Sequence, residues 1–86
     1  MPENQAPYSE HSMNIVGPNI RDIRIKLDLS QKDLVARCNL LGWDISRGTL
    51  AKIESKTRKL SDAEVLCLSK ALKVKVSDLF EGFECS

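Results

Sequence analysis

Four serines, Ser30, Ser46, Ser61 and Ser77, each stand just ahead of a short stretch whose apolar residues recur at helical spacing. A serine hydroxyl can accept a hydrogen bond from a backbone N–H of a helix's first turn, so such a residue marks where a helix begins. Ser30 is followed three residues later by Asp33, and then by the stripe Leu34, Val35, Cys38 and Leu41. This predicts a second helix that starts at Gln31 and runs to about Leu41, with Gly42 as its C-cap. Ser46 precedes Leu50 and Ile53, which predicts a third helix over 47–55, weakened slightly by Gly48. Ser61 with Glu64 forms a capping box ahead of Val65, Leu66, Leu68, Ala71 and Leu72, so a fourth helix should end near Lys73. Upstream, Pro18 suits a first turn, and Ile20, Ile23 and Leu27 give a helix over 18–27. Ser77 introduces a short fifth helix closed by Gly82, while Val74 to Val76 alternate over too few residues to make a strand. Each stripe must be buried against several others, and the expected fold is an all-α, compact five-helix domain.

A chain of 86 residues with a hydrophobic fraction of 42% suits one small domain. Residues 1–14 are polar, carry Pro2 and Pro7 and lack periodicity, which reads as a disordered or flexible N-terminal arm. The domain is expected over 15–82, with 83–86 as a C-terminal tail. Cys38, Cys67 and Cys85 match neither a zinc site nor a redox pair, and an odd number argues against a disulfide framework. These features point to a reducing, cytoplasmic setting. No apolar run is long enough to span a bilayer, and no signal peptide is recognisable.

The formal net charge of +1 conceals a local imbalance. Between Ser46 and Lys59 lie Arg47, Lys52, Lys56, Arg58 and Lys59 against the single acid Glu54, leaving eight cations and eleven acids elsewhere. A basic helix and its following loop form the electrostatic footprint of a phosphate-binding surface, although charge alone is equally compatible with a solvated helix face.

Four blocks turn this pattern into a resemblance: IRDIR at Ile20 to Arg24, LSQKDL at Leu29 to Leu34, SRGTLAKIES at Ser46 to Ser55, and ALKVKVSDLF at Ala71 to Phe80. In order and spacing the chain resembles the phage-repressor and Cro-type, or Xre, family of helix-turn-helix proteins. The resemblance implies a lambda-repressor-like domain that binds double-stranded DNA as a small transcriptional regulator. Its second helix would cross the phosphate backbone and its third would enter the major groove. By the same resemblance Arg47, Gly48 and Lys52 face bases, although Gly48 has no side chain with which to read them. A guanidinium can donate two hydrogen bonds to guanine, which makes Arg47 the strongest candidate. Gln31, Ser46, Thr49, Ser55, Lys56, Arg58 and Lys59 would meet phosphate, and Arg24 would pair with Glu54 as a structural ion pair. Two copies are expected on a near-palindromic operator, with dimer contacts from Leu79, Phe80 and Phe83.

The chain departs from the family spacing between Gln31 and Glu54, where about five extra residues fall in 39–45. Trp43 lies there, either capping the junction of the second and third helices or touching DNA or a partner. Catalysis has little support: His11 sits in the polar arm, and the four glycines are too scattered for a phosphate loop. No cofactor, metal or small-molecule ligand is indicated. The competing function is a protein-interaction module on the same fold, antitoxin-like or adaptor, without specific DNA binding.

Overall fold

The computed structural model describes residues 14–82. Five helices follow one another: α1 (Gly17–Lys26), α2 (Gln31–Leu40), α3 (Arg47–Glu54), α4 (Asp62–Leu72) and α5 (Val76–Leu79). There is no strand among the described residues. Among the described residues the fold is all-α.

The helix starts follow local chemistry. Ser30 Oγ accepts the Asp33 amide at 3.0 Å while Asp33 Oδ2 accepts the Ser30 amide at 2.9 Å. Ser61 and Glu64 repeat the arrangement at 3.2 and 3.0 Å, and Ser46 Oγ accepts the Thr49 amide at 3.1 Å. The fifth helix corrects the expectation. It begins at Val76, ahead of Ser77, because Asp78 Oδ2 accepts the Lys75 amide at 3.0 Å and makes Lys75 the N-cap.

All four longer helices stop by one device. A residue in the left-handed region ends each: Asp28 at φ 59°, Gly42 at 96°, Lys56 at 66° and Lys73 at 59°. Its amide reaches back three residues, and the next residue's amide reaches back five. The pairs are Leu29 to Arg24 O at 3.0 Å, Trp43 to Cys38 O at 3.0 Å, Thr57 to Lys52 O at 2.9 Å and Val74 to Ser69 O at 2.9 Å. This is the Schellman reversal, usually completed by an apolar residue folding back over the helix. Leu29, Trp43 and Val74 do so, packing against the core. Thr57, after α3, is polar and exposed. Trp43 is therefore placed by the end of α2. Asn39 Nδ2 holds the lengthened connection by donating to Trp43 O at 2.9 Å and Ile45 O at 3.3 Å. Ile45 then re-enters the core, only 5% exposed.

Every helix contributes to a single core: Ile20 from α1, Leu34 from α2, Leu50 and Ile53 from α3, Leu68 and Leu72 from α4, and Leu79 from α5. Complete burial of Leu79 corrects its assignment to a dimer surface, because a side chain with no exposed area cannot reach a second copy. Phe83 lies outside the described residues.

The boundary of the domain also moves. Asn14, expected in the arm, is buried. Its Nδ2 donates to Ile53 O at 2.7 Å and to Arg58 O at 3.0 Å, and its Oδ1 accepts the Gly17 amide at 2.9 Å. At Gly17 a Cβ would run into the Ile53 carbonyl, so the absence of a side chain lets α1 start against the end of α3.

Candidate nucleic-acid interface

The exposed side of α3 begins at Ser46 and passes through Arg47, Gly48 and Lys52 to Ser55, all of which are exposed. Leu50 and Ile53 turn inward and fix the helix by burial. Thr49 is half-buried beside Ser46, whose hydroxyl lies 3.0 Å from Thr49 Oγ1. At Gly48 a Cβ would meet only Ser46 Oγ, at 3.9 Å, so the face between Arg47 and Lys52 is open.

Glu54, the one acid of this stretch, points the other way. Its carboxylate accepts Arg24 Nε at 2.7 Å and Arg24 Nη2 at 3.1 Å. The two side chains are 4% and 10% exposed. Arg24 Nη1 also donates to Leu29 O at 2.8 Å, so α1, its C-terminal reversal and α3 are locked together. Withdrawing Glu54 into this pair leaves the surface of α3 without its negative charge.

Gln31 connects the buried pair to the surface. Its Nε2 donates to Glu54 Oε1 at 3.1 Å, while its Oε1 accepts Arg47 Nε at 3.4 Å. A primary amide carries two hydrogens, and one remains for a further acceptor. The start of α2 and the start of α3 thus meet at one edge of the basic strip. Asp33 in the first turn of α2 turns its carboxylate back to the Ser30 backbone, which holds its pKa below the usual 3.8.

Beyond α3, Ser55 Oγ and Thr57 Oγ1 both donate to Lys52 O, each at 3.2 Å. Lys56 and Lys59 are exposed. Arg58, expected on phosphate, instead holds Glu64 through both terminal nitrogens, Nη1 to Oε1 at 3.1 Å and Nη2 to Oε2 at 3.0 Å. These hydrogen bonds hold the Glu64 carboxyl below its ordinary value of 4.5 and raise the Arg58 guanidinium further. Glu64 therefore caps α4 and ties the incoming loop to it. Both residues stood out in the sequence, but their partnership depends on the path of the loop.

Elsewhere the Cys38 thiol is pushed up to about 12, by burial first and by the neighbouring Cys67 second. A thiol so rarely ionised behaves as a core side chain. No cluster of His, Cys, Asp and Glu suited to a metal ion occurs among the described residues, and none of their helices is long and apolar enough to cross a membrane.

A helix pair whose second member offers Arg47 from its first turn and Lys52 from its last to solvent, backed by a helix whose N-terminus lies alongside, defines a helix-turn-helix DNA-binding protein. The helix-turn-helix family model matches residues 20–79, and the chain belongs to that family, in its Cro/C1-type, Xre-like form. Its partner is DNA. Searches of curated proteins and of solved structures find no match.

Proposed function

We propose that this chain is a sequence-specific regulator of transcription that reads double-stranded DNA with α3 in the major groove. One observation carries this reading: Arg47, Lys52 and Lys56 share an exposed strip from which Glu54 has been withdrawn into the buried pair with Arg24. Arg47 and Lys52 read base edges, with Arg47 steadied by Gln31, and Gly48 gives the groove wall close access to the helix. Gln31, Ser46, Thr49, Ser55, Lys56 and Lys59 contact the backbone, and Arg58 sets the loop that carries the last two.

The roles separate in a fluorescence-anisotropy titration against DNA flanking the gene, repeated across salt concentrations. Arg47→Ala should lose about 1 to 3 kcal/mol of discrimination between preferred and scrambled duplexes. Lys56→Ala should weaken both equally and flatten the salt slope by about 0.9, whereas Arg58→Ala should leave that slope nearly unchanged. Binding that is absent, or insensitive to salt, would overturn the proposal in favour of a protein-interaction module.

A single domain spans few base pairs, so two copies should occupy half-sites about 34 Å apart on a near-palindrome. Phe80, 36% exposed, borders a 260 Å³ groove with Ile15, Leu60 and Val65 beside the loop that carries Lys59. This groove is the apolar surface on which two copies would meet. Light scattering with and without operator should register the dimer, at least on DNA.

A further inference from the structure

At the end of α2 farthest from Gln31, Leu40 is 88% exposed and Leu41 49%, and across from them Leu66 of α4 is 47% exposed. The sequence stripe places Leu41 and Leu66 on apolar faces, yet neither is covered by the fold. They border two adjoining cavities of 190 and 310 Å³ that share Leu41 and Lys70, with Ala63 and Cys67 lining the first and Arg37 and Lys73 the second. The residues lining the two include three cations and no carboxylate. Arg37 is fixed there by donating to Ala71 O at 3.0 Å.

An apolar floor with a purely cationic rim selects its occupant. A second copy applied symmetrically would set the same patch against itself, cation facing cation. Duplex DNA would satisfy Lys70 and Lys73 but leave the leucines against a charged backbone. A helix with apolar residues at i, i+3, i+4 and i+7, flanked by Asp and Glu, matches both features. We infer that the Leu40–Leu41–Leu66 groove docks an acidic amphipathic helix of a partner protein. Leu40 lies nine residues beyond Gln31 on α2, about 14 Å at helical rise, so the partner helix can sit there while the basic strip is occupied.

The test uses the full-length, isotope-labelled chain and two synthetic helical peptides with one leucine pattern, flanked by Glu in one and Lys in the other. The acidic peptide should give saturable amide shifts confined to residues 37–41 and 63–73, both with and without bound DNA, and at least tenfold tighter than the basic peptide. Leu40→Glu, at a position too exposed to disturb the fold, should abolish them. The double variant Lys70→Glu, Lys73→Glu should reverse the preference between peptides. Absent or non-saturable shifts would overturn the inference, as would equal response to both peptides or shifts centred on residues 47–59. Shifts at the groove that grow with the concentration of the chain alone would assign it to a second copy and overturn it as well.

Discussion

Two arginine–glutamate pairs flank the basic strip and share nearly the same bidentate chemistry, but their surroundings give them different tasks. Arg24 and Glu54 are sealed between α1 and α3, with side chains 10% and 4% exposed. Arg58 and Glu64 join the loop to α4 at 34% and 22%. Charges taken out of water depend on each other, so the first pair is costly to break from one side. A half-exposed pair is screened and contributes little to stability. The inner pair removes an acid from the exposed basic surface of α3. The outer one takes a cation away from it and fixes the loop in return.

The inner pair should give the largest effect. Glu54→Gln leaves Arg24 with a buried, uncompensated charge, and urea denaturation should show a loss of about 3 to 5 kcal/mol. A loss under about 1 kcal/mol would mean that the two pairs are equivalent and would remove the distinction. Asn14 links the neighbourhoods of both pairs, through Ile53 O and Arg58 O. Asn14→Ala strands the Arg58 carbonyl and the Gly17 amide, leaves Ile53 O with the Lys56 amide alone, and should cost about 1 to 3 kcal/mol by the same measurement. The smallest effect belongs to the outer pair: Glu64→Gln should lose no more than about 1 kcal/mol at neutral pH.

That last difference should depend on pH in a defined direction. The Glu64 carboxyl is held below 4.5 in the folded chain, chiefly by its hydrogen bond with Arg58. Its contribution is therefore present above the unfolded value and is lost as pH falls from about 4.5 through the lower folded pKa. Wild type and Glu64→Gln should converge in urea midpoint as pH is lowered through this window. Divergence on acidification would contradict the assignment.

What could be read in advance divides along similar lines. The starts of α2, α3 and α4 were legible because Ser30, Ser46 and Ser61 act on amides three residues away. The start of α5 was not, since Asp78 caps from within the helix and draws the boundary back past Ser77. The ends of α1, α3 and α4 fall within one residue of where their apolar stripes stop, but the reversal that makes them was hidden: Asp28, Lys56 and Lys73 take a left-handed conformation usually reserved for glycine or asparagine. Only Gly42 signalled its turn. At the interface the basic strip itself was visible, because charge is written in composition. Which cations are held internally was not, since the grip of Glu64 on Arg58 requires the loop and α4 to be in place. Asn14 was the clearest miss. A polar residue beside an aperiodic segment looks solvated, and its partners lie 39 and 44 residues away.

The open space at Gly48 bears on how such a protein changes over time. Nothing packs on that position, and glycine inside a helix is less stable than alanine by about 0.5 to 1 kcal/mol. Almost any replacement can therefore be sampled without threatening the core, and each would add a new group to the exposed surface between Arg47 and Lys52. Mutational drift at a single codon can retune what the surface contacts while the buried framework stays under separate selection.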